Sequence, residues 1–203
     1  METSDSRIGR PAAPHFAGRV GHDRGVGNRA TTVRAVATRA GCTTGLIMHR
    51  FGSRSAMLVH ARQTLFERTA ARADEAGAGG TKSAAERLYS VVCSVLPLDD
   101  ERIVEARIFT GFAAAAIADA ELRNPHVTHT RQWLTRIAGL VADLGSHITD
   151  AEAAEYALQI ATSVEGIVVL AVLDPQTYPP ATQKRLAQRT IANVVDRSAD
   201  TDR

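Results

Sequence analysis

From Thr31 onward, apolar residues recur every three to four positions, and each such run is closed by glycine or proline. That periodicity suits amphipathic helices and leaves no stretch of strict alternation for a strand. Composition agrees, because alanine is abundant and aromatics are only 4%. Alanine loses no side-chain entropy in a helix, whereas sheets draw on branched and aromatic residues. The spacing predicts a short helix N-capped by Thr32, with Val33, Val36, Ala37 and Ala40 on one side and Gly41 as its stop. A second short helix starts at Thr43 or Thr44 and runs to about Phe51, ended by Gly52-Ser53. Ser53 then caps a longer helix from Arg54 to about Ala76, with an apolar face read as Ala56, Met57, His60, Ala61, Thr64 and Leu65.

Beyond Gly77-Ala78-Gly79-Gly80, five further helical segments are expected. They are 83–97, closed by Pro97; 100–119, with Asp99, Asp100 and Glu101 at its start; and a segment from Asn124-Pro125 to Leu144. The last two are 150–173, opened by the capping-box pattern Thr149-Asp150-Ala151-Glu152, and a helix from about Pro180 to Arg197. The fold class is all-α.

The charge is divided along the chain. Residues 1–72 hold 12 Arg and four acids, a net of +8, whereas residues 73–203 hold 12 basic and 18 acidic residues, a net of −6. Such asymmetry points to a polyanion meeting the first third. Cys42 and Cys93 lie far apart with no ligand pattern around them and read as reduced thiols. The N-terminal stretch METSDSRIGRPAAPHF lacks the apolar core of a secretory signal, and no apolar run is expected to approach the roughly 20 residues that span a bilayer. A cytoplasmic protein with no membrane partner is expected. The organisation is read as a disordered arm over 1–11, a basic helical domain over 12–76 that includes the connecting helix, and a larger helical domain over 81–198. Within 12–30, prolines and glycines leave a weak helix at best.

Residues 31–51, TTVRAVATRAGCTTGLIMHRF, place two short helices around a glycine turn, which is a helix-turn-helix. An α-helix enters the major groove when a neighbouring helix holds it proud of the surface. Val36, Ala37, Leu46 and Ile47 are expected to pack inward, leaving Thr43, Thr44, Gly45, His49 and Arg50 outward. Threonine hydroxyls at a helix N-terminus can meet phosphates or base edges, and Gly45 allows close backbone approach. Arg34, Arg39, Arg50 and Arg54 supply positive charge.

The stretch TTVRAVATRAGCTTGLIMHRFGSRSAML resembles the DNA-binding signature of the TetR family. The later segments EARIFTGFAAAAIADAELRN, RQWLTRIAGLV and VEGIVVLAVLDPQTYPP resemble, in order, the family's BetI-like branch. Family members usually carry a tyrosine where Met48 stands, a lysine where Arg54 stands, and a long amphipathic helix where PAAPHFAGRVGHDRGVGNRA is found. The resemblance implies a regulator, usually a repressor, that binds double-stranded operator DNA as a homodimer and is released by a small-molecule inducer. The DNA-binding residues it implies are Thr32, Arg34, Thr43, Thr44, Gly45, Met48, His49, Arg50 and Arg54. The irregular 12–30 segment supports an alternative, a helical ligand- or protein-binding dimer whose head no longer binds DNA.

The resemblance further implies that the last two helices pair with a second copy. The 150–173 helix offers a stripe of Ala154, Ala157, Leu158, Ala161, Val164, Val168, Ala171 and Val172 for that contact. An inducer pocket is placed among the middle helices, with Tyr89, Phe109, Phe112 and Trp133 as lining and Glu105, Arg107 or Glu165 as polar anchors. His126 and His129 are read as solvent-exposed rather than as metal ligands. No catalytic signature, metal set or cofactor is expected.

Overall fold

The computed structural model describes residues 33–78 and 80–200, with side chains through Asp196. The expected arm at 1–11, the 12–30 segment and Thr32 lie outside these residues. Eight helices and no strand occur among the described residues, in agreement with an all-α chain. The chain divides by packing into two units, one ending at Gly52 and the other beginning at Ser53.

The first unit holds α1 (Val33–Arg39) and α2 (Thr44–Phe51). Each end of α2 has a local cause. Thr43 takes extended backbone, and its hydroxyl accepts from the Leu46 amide at 3.2 Å. Gly52, at φ +74°, donates its N–H to the Met48 carbonyl at 2.8 Å.

The second unit holds α3 (Arg54–Gly77), α4 (Ala84–Ser94), α5 (Asp100–Ala118), α6 (Ala120–Ala142), α7 (Asp150–Leu173) and α8 (Pro180–Asp200). Reading from sequence assigns the connecting helix to the DNA-binding domain; by packing, α3 groups with the later helices, chiefly α4, α5 and α6. Ser53, Ser83, Asp99, Asp119 and Thr149 cap the helices that follow them, and Ser83 and Thr149 close full capping boxes with Glu86 and Glu152. The core gathers Leu88, Val91 and Val92 of α4, Ile137 and Val141 of α6, Ile160 and Val164 of α7, and Ile191 and Val194 of α8. Burial of each such side chain contributes about 1.5–3 kcal/mol.

Three expectations are corrected. The buried side of α3 is Met57, Arg62, Leu65 and Ala73, while Ala56, His60, Ala61 and Thr64 are exposed. Its inner stripe is therefore rotated from the predicted one and includes a charged residue. Next, α6 begins at Ala120 rather than at Asn124-Pro125. Asp119 ends α5 and caps α6, so the corner is one residue long and Pro125 falls inside the helix. Proline there has no N–H, so one backbone carbonyl a turn earlier lacks its usual donor. Finally, α7 is long and apolar enough to cross a membrane by length and composition alone. It buries Ala153, Ala157, Ile160, Ala161, Val164, Ile167, Val168 and Ala171 in the helical core.

Candidate functional site

Gly41 makes the turn between α1 and α2. Its φ of +65° lies in the left-handed region that disfavours residues with a Cβ. The Ala40 and Cys42 amides donate back to the Val36 and Ala37 carbonyls, both at 2.9 Å, so the turn is fully tied to α1. Ala37 and Ile47 are buried, as expected, and Val36 is half-buried. Leu46 departs from expectation: it is 57% exposed. One helical step separates it from Ile47, and that step of about 100° carries it to the outer face.

Arg34, Thr43, Thr44, Gly45, Met48, His49 and Arg50 are all exposed in this unit. The first turn of α2 carries no acid, and its last turn carries His49 and Arg50. A Cβ placed on Gly45 would meet only the Thr43 hydroxyl, at an ordinary 3.8 Å. The glycine is therefore not demanded by packing within the protein. Arg50 stands 5.7 Å from the centre of the Phe51 ring, which orients a cation without neutralising it. Arg54 is the exposed first residue of α3, whose first turn also lacks acids. A cation there opposes the helix dipole.

In the second unit, α3, α5, α6 and α7 converge on a buried polar cluster. Arg62 is 5% exposed, and its guanidinium lies 5.5 Å above the Phe109 ring. Burial pulls its pKa down to about 10, with the charge of Glu165 opposing. Burial in turn pushes the Glu165 carboxyl up, and Arg62 resists that rise. His126 leans toward Phe109 and Phe112 at 5.8 and 6.2 Å. His129 stacks on Phe66 at 4.3 Å, and its Nε2 bonds the Gln63 Oε1 at 2.8 Å. Burial and then Arg62 lower the pKa of both histidines. Arg62 Nε, His126 Nδ1 and His129 Nδ1 are buried without a hydrogen-bond partner. Native interiors rarely leave such groups unmatched.

Of the expected ligand residues, Phe109, Phe112 and Glu165 come together here, whereas Tyr89, Glu105 and Trp133 do not. Tyr89 borders a separate open groove with Cys93, Arg102 and Lys184. Its phenol is pushed up to about 12 by burial and by Cys93. Glu105 forms a buried ion pair with Arg72, whose Nε also donates to the Ser94 carbonyl. Trp133 packs against the main core, and Arg107 is exposed. His126 and His129 correct the expectation of exposure, since His129 is 6% exposed and His126 is half-buried. Spacing held the signal: Leu122, His126, His129, Trp133, Ile137 and Val141 follow one helical stripe, as do Leu58, Arg62, Leu65, Thr69 and Ala73.

The BetI-type transcriptional repressor C-terminal family matches residues 84–196, and the tetR family of bacterial regulatory proteins matches residues 25–61. The chain is a TetR-family transcriptional regulator. No curated protein sequence matches it. Among solved structures, a transcriptional regulator from Rhodococcus sp. Rha1 is 26% identical, with a TM-score of 0.76 over 83% of this chain and 87% of that one. The TetR regulator from Legionella pneumophila shares the fold at 19% identity and a TM-score of 0.70, covering 82% of this chain and 87% of its own. A protein from Saccharomonospora viridis, assigned as a transcriptional regulator and crystallised with choline, shares it at 16% identity and a TM-score of 0.71. Its match covers 81% of this regulator and 86% of its own chain.

Proposed function

We propose that this regulator is a cytoplasmic homodimeric repressor that binds a palindromic operator through α2 and is released by a small-molecule inducer. The observation that carries the reading is the outer face of α2: Thr43, Thr44, Gly45, Leu46, Met48, His49 and Arg50, all exposed and free of acids. Hydroxyls, a bare backbone position, an apolar side chain for a thymine methyl and a terminal arginine suit a major groove. Thr32, Arg34 and Arg54 extend the contact to phosphates in this reading.

The dimer face is proposed on α7 and α8. The predicted stripe does not serve as drawn, because Ala157, Ala161, Val164, Val168 and Ala171 are spent in the regulator's own core. The apolar side chains left outward on α7 are Leu158 at 49%, Leu170 at 41% and Leu173 at 71% exposure. A two-fold pairing there would present two α2 helices to half-sites about one turn of DNA apart.

The inducer is placed in the Arg62–Phe109–His126–His129–Glu165 cluster. Its occupation would displace α5 and α6 against α3, which leads directly from α2 through Gly52-Ser53, and thereby alter the spacing of the recognition helices in the dimer. Selection of duplexes from a random pool, followed by affinity against salt, tests the reading. A recovered palindrome with a steep salt slope supports it, and absence of any enriched sequence overturns it. The alternative of a ligand-binding dimer with a silent head would then take its place.

A further inference from the structure

Arg62 sits in an unusual position for a cation. It is 5% exposed, and among the described residues no ion pair joins it to a carboxylate. A charged group taken out of water is stable only when paired and hydrogen-bonded. The Phe109 ring covers one face of the guanidinium, yet its Nε still lacks an acceptor. Two further ring nitrogens, His126 Nδ1 and His129 Nδ1, are unmatched in the same cluster. Each ring nitrogen can donate when it carries the proton. Glu165 is the acidic group whose charge Arg62 feels, and burial moves that carboxyl toward its neutral form.

We propose that this cluster binds a small organic monocarboxylate with an apolar body, its carboxylate received by Arg62 and its body lying among Phe66, Phe109 and Phe112. The assignment rests on the placement of the inducer in this cluster and adds its chemical class. An arginine fork matches a carboxylate in both charge and geometry, and the bond strengthens where water is excluded. His126 Nδ1, when it carries the ring proton, can donate to the second oxygen, whereas His129 keeps its proton on Nε2 against Gln63 Oε1. The aromatic rings offer the apolar surface that the rest of such a ligand requires. A cation would meet the guanidinium charge in a poorly screened interior, with the Phe109 face already occupied by Arg62. A neutral amide can supply an acceptor but leaves the buried charge uncompensated.

The test uses the full-length regulator labelled with ¹⁵N-histidine. It is titrated with straight-chain acids from butanoate to decanoate, benzoate and phenylacetate, each beside its primary amide, and with benzyltrimethylammonium. Calorimetry measures affinity, and the ring nitrogens of His126 and His129 report where the compound sits. At least one carboxylate is expected to shift both histidine signals saturably and to bind about tenfold or more tightly than its amide. In Arg62→Met, which keeps length and removes the charge, that preference should disappear. In Arg131→Met, which changes an exposed arginine of α6 outside the cluster, it should persist, so a folded variant with an intact preference is available as a control. An amide or the ammonium ion that binds as tightly as the carboxylates and moves both histidines overturns the ligand class but keeps the site. A carboxylate that binds without moving either histidine overturns the site. Binding by none overturns the carboxylate assignment and leaves the site to be tested by operator release.

Discussion

The Ser55 hydroxyl donates to the Asp119 carboxylate at 3.3 Å, tying the first turn of α3 to the corner between α5 and α6. The other oxygen of Asp119 accepts from the Glu121 amide at 2.9 Å and caps α6. Arg123 closes the corner by donating to the Ala116 and Ile117 carbonyls at the end of α5. One carboxylate thus holds the starts of two helices, and Arg123 holds the end of a third. Asp119→Ala should lower stability by about 1 kcal/mol, mostly as a lost cap. Urea unfolding measures that loss, while Ser55→Ala, which spares the cap, should cost clearly less. If the tie also transmits inducer binding, Ser55→Ala weakens the inducer's effect on operator affinity more than it weakens inducer affinity.

Gly45→Ala separates recognition from folding. The new methyl has space at 3.8 Å from its nearest neighbour, and alanine is the better helix former by up to about 1 kcal/mol. The variant should therefore unfold at an equal or higher temperature. Its operator affinity should fall if the backbone approaches DNA at this point. Unchanged affinity would remove Gly45 from the interface.

Arg50→Ala should leave stability within about 0.5 kcal/mol, as is usual at an exposed site. Operator affinity should fall, and if the guanidinium meets a phosphate the salt slope should shrink by roughly one. A weakened affinity with an unchanged slope would instead assign Arg50 to base edges.

The buried histidines set a pH dependence. Both have pKa values depressed below the ordinary 6.5, so the unfolded chain binds protons more readily than the folded one. Their contribution to stability is complete above about pH 6.5 and declines as the pH falls toward their folded-state values. Glu165 acts in the opposite sense, since its raised pKa favours the folded chain below that value and is lost as pH rises through it. His129→Gln should flatten the decline below neutrality, as read from urea midpoints at about pH 7 and about pH 5.5. A decline as steep as that of the unsubstituted protein would show that His129 does not set it.

Helix ends were the most legible feature of the sequence, because caps act within three or four residues. Ser53, Asp99 and Thr149 all hold the positions that their chemistry predicts. The outward face of α2 was also legible, except for Leu46, whose hydrophobicity argued for burial while its place in the turn put it outside. Pro125 misled because proline signals a helix start unless a stronger cap stands upstream, as Asp119 does. The polar cluster escaped for a different reason. Arg62, His126 and His129 lie on the inward stripes of their helices, but a reading by residue type sets polar residues outward, and Glu165 comes from a third helix. Only the convergence of those helices shows that four polar groups share one interior.

Gly41 and Gly52 are the two positive-φ residues among those described, and they stand on either side of α2. Helix α2 is thus bracketed by two turns whose geometry is set by glycine rather than by its own side chains. Only Ile47 within it is buried. The remaining positions from Thr44 to Arg50 are open to exchange without disturbing entry or exit of the chain. If α2 reads DNA as proposed, it is an interchangeable reading head: related regulators could acquire new operators by rewriting these few outward residues while the bracketing turns stay fixed.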